Sequence, residues 1–267
     1  MIRLIWETMR ERKWPVAIYC VSSVLMLLLY VALYPSLQAQ SQQFAEVMKS
    51  LPENLLKALG SSSLTNFTLE ALLSSKQFSL FWQLLAAILA ISIAGNDLAG
   101  EVEKGTVEFL LSQPVSRLKI YFARFISGSI LLTIFSAVST ITVIPLAKAF
   151  NVAYVGENYY KLFLVAWLFS LAVYAIAYCL SAVFSTKGRV FGIGAAIVAV
   201  MYAAFLVAAL KDSLDGLKYI SFFHYFAPDL LTTGTIDKLG VLIFVLTIVI
   251  ALGLGAIIYE QRDILTS

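Results

Sequence analysis

The chain has 267 residues, of which 60% are hydrophobic and 13% charged, with a net charge of +3. A soluble domain of this length carries about 25% charge to cover its surface, so the bilayer is the solvent to consider. The small positive charge gives no ground for a nucleic-acid partner and fits the cationic bias of membrane proteins.

Several chemistries are excluded early. No G-x-x-x-x-G-K-S/T loop occurs, so the chain does not hold ATP in that way. Cys20 and Cys179 both fall inside apolar runs, which argues against a disulfide framework. His224 is the only histidine, leaving little for a His-rich metal site or a Ser-His-Asp triad.

In chain order, residues 1–15 read as an amphipathic helix at the membrane interface. Ile2, Ile5, Trp6 and Met9 share one face, and Arg3, Glu7, Arg10 and Glu11 take the others. Six apolar runs follow, at about 16–37, 78–97, 122–147, 160–184, 190–210 and 239–259. Each is close to the roughly 20 residues that cross a bilayer as a helix. The first run is too long for a signal peptide's apolar core. No Asp, Glu, Lys or Arg sits at the middle of any run; Asp97 lies at the end of the second. Carriers coupled to protons or sodium need such an intramembrane group, so the driving force is expected from elsewhere. The fold class predicted is all-α and polytopic, a single transmembrane domain of six spans over residues 1–267.

Basic residues set the orientation. Arg3, Arg10, Arg12, Lys13, Lys104, Arg117, Lys119, Arg124, Lys187, Arg189 and Arg262 crowd short segments on one side, while the remaining eight lysines are spread over long loops on the other. The positive-inside rule then puts both termini in the cytoplasm and residues 38–77, 149–159 and 211–238 outside. In the first outer loop, Phe44, Val47, Met48, Leu51, Leu55 and Leu59 form a helical stripe that Pro52 divides into two short helices. The last outer loop carries Phe222, Phe223, Tyr225 and Phe226 and is too apolar to be free, so a short or re-entrant helical element is expected before Pro228. Small residues in the fifth span, Gly192, Gly194, Ala195, Ala196 and Ala199, with Gly253 and Gly255 in the sixth, offer close-packing faces within the chain or against a second copy. The Ser and Thr residues of the third span suit either an amphipathic cargo or helix packing.

Residues 98–120 are the most charged and turn-rich passage. Gly100 is expected to break the second span's helix, leaving Glu101, Glu103 and Lys104 in water. Gly105-Thr106 then reads as a helix start, with Thr106 as N-cap and Glu108 favourable to the dipole. Val107, Leu110 and Leu111 stand at i, i+3 and i+4 and form one apolar ridge, which Pro114 closes. Such a helix can lie on lipid or dock into a groove on a soluble partner; spacing alone leaves both open.

The stretch AGEVEKGTVEFLLSQPVSRLKIYFARF resembles the signature loop of permease subunits in the type-two family of ABC exporters, which has the form E-x-E-x-G-T-x-x-x-L-L-x-x-P-V-S-R with Val or Ile after the proline. Glu101, Glu103, Gly105, Thr106, Leu110, Leu111, Pro114, Val115, Ser116 and Arg117 occupy those positions. The tail YEQRDI is also similar to that family, and the long first outer loop departs from its shortest members. The resemblance implies an exporter permease without ATPase activity or cofactor of its own, in a bacterial or archaeal plasma membrane. ATP and Mg would belong to a separate ABC ATPase subunit, and the permease would pair with a second copy or a paralogue. It further implies that Glu101, Glu103, Gly105, Thr106, Val107, Leu110, Leu111, Pro114 and Arg117 form the interface that couples to the ATPase. A non-transporting membrane anchor or sensor for a cytoplasmic partner is the alternative. An intramembrane enzyme is disfavoured because the spans lack a His/Asp/Glu constellation.

Overall fold

A computed structural model describes residues 2–49, 68–105 and 116–261. The described residues are helical throughout their regular structure. Among the described residues, six helices are long and apolar enough to cross a membrane: Ile5–Gln40, Leu69–Asp97, Arg117–Ala149, Gly156–Val183, Lys187–Leu210 and Lys238–Gln261. The protein is thus a multi-pass membrane protein. The chain alternates between the two ends of the bundle, so α1 begins at the end where the last span finishes; this is called the N-terminal end below.

The first helix, α1 (Ile2–Lys49), runs without a break from the stretch expected to lie flat on the membrane into the first span, with Pro15 and Pro35 inside it. Each proline removes one backbone donor, which neighbouring helices and local adjustments make tolerable within a membrane helix. The expected stripe over residues 42–59 lies mostly outside the described residues.

The second span has three parts. Thr68 caps α2 (Leu69–Leu73), its hydroxyl accepting from the Ala71 N–H. A π-helical stretch, Ser74–Phe81, joins it to α3 (Trp82–Asp97). Side chains add bonds to the backbone along it: Ser75 donates to Leu72 O, Ser79 to Ser75 O and Gln83 Nε2 to Phe78 O at 2.9 Å. After α3 come α4 (Ala99–Glu103), α5 (Arg117–Ile141) and α6 (Val143–Ala149). Then follow α7 (Gly156–Val183) and α8 (Lys187–Leu210). A 3-10 stretch, Asp212–Ile220, leads to α9 (Phe222–Phe226), α10 (Leu230–Thr233) and α11 (Lys238–Gln261).

The centre of the bundle is α7, which is 72% buried over its most apolar window, against 11% for α8. Helices in lipid gain little from burying apolar surface, because acyl chains are as apolar as leucine; close packing and hydrogen bonds decide instead. The buried face of α7 accordingly mixes Ala166, Ala172, Ala175 and Ala177 with Phe169, Tyr174 and Tyr178. The hydroxyls of α5 serve packing and their own helix. Thr133 accepts from Trp167 Nε1 at 2.8 Å, and Ser127, Ser129, Thr133 and Thr140 donate to carbonyls three or four residues back. The small residues divide between inside and outside. Gly194 packs on Ile91 and Gly255 on Tyr121 and Cys179, whereas Gly192, Ala195, Ala196 and Ala199 are exposed along α8.

The aromatic loop is helical, and α9 inserts into the opposite end of the bundle. Phe226 stacks on Trp82 with centroids 5.5 Å apart, and Phe135 stacks on Trp82 at 5.7 Å. The Trp82 indole N–H donates to Ser139 Oγ at 2.6 Å. Phe169 meets both Phe226 and Phe244 edge-on. Trp82 therefore joins α3, α5 and α9 in one contact. Trp82→Ala is expected to lower unfolding stability in detergent by about 3–5 kcal/mol, measured by denaturant titration of the purified chain. A loss below about 1 kcal/mol would show that the aromatic stack contributes little.

Candidate functional site

The N-terminal end holds a buried charged junction. Asp97, the last residue of α3, is fully buried. Its Oδ1 lies 2.5 Å from Arg12 Nη1 of α1, and its Oδ2 accepts from the Tyr174 hydroxyl of α7 at 2.7 Å. Arg12 Nη1 also donates to Ile93 O at 2.9 Å. A second pair sits alongside. Arg124 of α5 places Nη2 3.3 Å from Glu101 Oε1 of α4 and donates through Nη1 to Thr8 Oγ1 of α1 at 3.1 Å. Charges and hydrogen bonds thus tie α1, α3, α4, α5 and α7 together.

Local sequence explains how each group arrives. Thr8, Arg12 and Val16 recur every four residues, so they lie along one stripe of α1, and all three turn inward. Trp6 and Trp14 are 67% and 70% exposed on other faces. Tyr174 reaches Asp97 only because residue 128 of α5 is glycine: a Cβ there would overlap the Tyr174 hydroxyl. An aromatic layer backs the junction, with Phe125 stacked on Tyr174 and the Tyr178 hydroxyl donating to Tyr121 O at 2.7 Å.

The passage leading into the charged loop is pinned by its neighbours. The helix breaks at Leu98, between α3 and α4. The N–H groups of Leu98 and Ala99 both donate to Ser181 Oγ of α7, at 3.3 and 2.9 Å. Gly100, expected to be the breaker, lies within α4 instead, because these bonds let a new helix start before it. The helix stops at Gly105, whose φ of +70° suits a glycine. Glu103 Oε2 accepts from the Lys187 N–H, one of the free donors at the start of α8, at 2.8 Å.

The residues singled out from the sequence are distributed as follows. Glu101 is drawn out of water by Arg124, contrary to expectation, with its side chain 13% exposed. Glu103 and Gly105 are exposed at the end of α4, and Arg117 opens α5. Thr106, Val107, Leu110, Leu111 and Pro114 lie outside the described residues. Sequence reasoning missed Arg12, Arg124, Tyr174 and Ser181 as partners. The available signal was Asp97, a lone acid at a span's end that needs a cation, together with the inward repeat Thr8, Arg12 and Val16. No group of His, Cys, Asp and Glu among the described residues could hold a metal ion.

Removing one member of a buried pair leaves an uncompensated charge and costs about 3–5 kcal/mol, while replacing both with apolar groups is close to neutral. Asp97→Leu and Arg12→Met alone are therefore each expected to destabilise the chain by about that amount, and the two together to recover most of it. A double-mutant cycle on unfolding in detergent reads this out. Additive single losses would show the two groups to be uncoupled.

No curated protein matches the chain. Residues 9–264, nearly all of it, match the family model described as ABC-2 family transporter protein. The junction, the pinned loop entry and the six spans thus belong to a permease of an ABC transporter: the chain is a member of the ABC-2 transporter family.

Proposed function

We propose that the chain is the membrane-spanning permease of an ATP-driven exporter, that it couples to a separate ABC ATPase through residues 98–120, and that both termini face the cytoplasm. The supporting observation is the attachment of α4, the helix that leads into this loop. It is held to α7 through Ser181, to α5 through Arg124 and to α8 through Glu103. A push on the loop from an ATPase would therefore reach several spans at once. On this reading Val107, Leu110 and Leu111 enter the ATPase groove, with Glu101, Glu103 and Arg117 at its rim; Gly105, Thr106 and Pro114 complete the coupling interface. ATP and Mg are held by the ATPase. Two permease copies, or this chain and a paralogue, enclose the path; the exposed small residues of α8 permit close approach between them.

Sidedness is tested with single cysteines in a background lacking Cys20 and Cys179. Cysteines at Ser62 and Gly216 should react with an impermeant thiol reagent in intact cells, and one at Ser112 should not. Labelling at Ser112 with protection at Ser62 would invert the topology.

Coupling is tested with Leu110→Glu, which places an unpaired charge in an apolar contact. The cost, on the order of several kcal/mol, abolishes a micromolar association. Normal membrane insertion with loss of the co-purifying ATPase and of ATP-driven transport is expected. The mass of the wild-type complex should correspond to two permeases and two ATPases. Full association and transport by the variant would return the loop to the role of an interfacial anchor.

A further inference from the structure

At the N-terminal end, α1 and α5 leave a laterally open groove of about 480 Å³ between them. This lies within the range of about 300–1,000 Å³ typical of small-molecule sites. On α1 it extends from Trp6 to Cys20, about 21 Å at the helical rise, comparable to the depth of one leaflet. Its two ends differ in chemistry. Toward the start of α1 it is lined by Trp6, Arg10 and Lys13; deeper in, by Cys20 of α1 and Leu131 and Ile134 of α5. The lining contains two cations and no acid; neither Glu7 nor Glu11 belongs to it. The cation between them in sequence, Arg12, is turned inward to Asp97, so it does not compete for a ligand here. Trp6 is 67% exposed, as suits an indole at headgroup depth.

We propose that this groove is a binding site for an acidic phospholipid of the leaflet at the N-terminal end. Its headgroup sits between Arg10 and Lys13, and one acyl chain lies along Cys20, Leu131 and Ile134. Charge complementarity selects the headgroup, and the depth of the apolar wall selects a ligand that already resides in the bilayer. A soluble anion would meet the cations but leave that wall empty. The site depends on the spans and their packing, not on ATPase coupling or on the orientation of the termini.

A cation near an anionic lipid surface strengthens binding by about fivefold, so two give a preference of about 25-fold for acidic over zwitterionic lipid. The full chain is placed in nanodiscs containing phosphatidylglycerol or phosphatidylcholine with acyl chains brominated next to the ester carbonyl, at the depth of Trp6. Quenching of Trp6 is read as the difference between the chain and its Trp6→Phe variant. Selective quenching by the brominated phosphatidylglycerol is expected. The selectivity should fall to near unity in Arg10→Gln with Lys13→Gln, two exposed positions whose change leaves the packed core untouched. It should persist in Lys104→Gln with Lys119→Gln, two exposed positions outside the groove whose change lowers net charge by the same amount. Equal quenching by both lipids in the unmodified chain would overturn the site, as would undiminished selectivity in the double variant. Absence of quenching by either lipid would also overturn it, since the groove would then be covered by protein, a second copy of the chain included.

Discussion

The arrangement of the N-terminal end follows from one buried carboxylate. Asp97 is fully buried, and an isolated charge in such surroundings is prohibitively costly. It must therefore be met by a cation and by a hydrogen-bond donor. Arg12 supplies the first, which fixes the rotation and depth of α1: Thr8 and Val16 turn inward with it, and Trp6 and Trp14 turn out. Tyr174 supplies the second, which fixes α7 against α3 and requires a glycine at position 128 of α5. Once α1 is placed, Thr8 stands where it can accept from Arg124, and Arg124 draws Glu101 and α4 to the same point.

The other end of the bundle is organised by shape more than by charge. Trp82 and its stacked neighbours Phe135 and Phe226 seat the short helix α9 between spans. Polar contacts then fasten the loops around it. Glu70 Oε1 accepts from the Val155 N–H at 2.8 Å, Asn158 donates to Leu231 O, and Lys161 donates to Gly234 O. Between these two ends α7 is the common surface, and its mixture of alanine and aromatic residues is what lets α3, α5 and α11 approach it closely.

The spans were plain in the sequence because apolar length is a one-dimensional property, and helical crossing is the solution that satisfies every backbone group in lipid. The helical character of the aromatic loop was legible for a similar reason: four aromatic residues in five positions cannot stay in water at no cost. The junction was not. Arg12 and Arg124 were counted among basic residues near span ends, where snorkelling or solvation is the ordinary fate. Only the pairing of Arg12 with Asp97 of α3, and of Arg124 with Glu101 of α4, shows that they are turned inward. Gly100 misled because its helix-breaking tendency is worth only about 1 kcal/mol. The Ser181 hydroxyl, more than eighty residues away in sequence, relocates the break to Leu98 by accepting two backbone donors. The coupling segment itself, residues 106–115, rests on its sequence pattern and on the family.

The two charge pairs of the junction differ in a way that bears on motion. The Arg12–Asp97 contact is the shorter, at 2.5 Å, and Asp97 is fully enclosed. Arg124 and Glu101 are 3.3 Å apart, with Glu101 13% exposed. Separating the enclosed pair would leave two uncompensated buried charges, whereas Glu101 of the second pair keeps some exposure and is closer to water when the pair parts. On the proposed reading, α1 and α3 move as one body, and α4 is the piece that shifts relative to them. Its hinge is Leu98, where the helix already changes direction. On the proposed reading, a stroke delivered to the loop is first taken up at the Glu101–Arg124 contact. It reaches α7 and α8 through Ser181 and Glu103, while the Arg12–Asp97 pair keeps the first two spans in register. A buried ion pair contributes little net stability compared with an apolar core. Its value here lies in deciding which helices can part and which cannot.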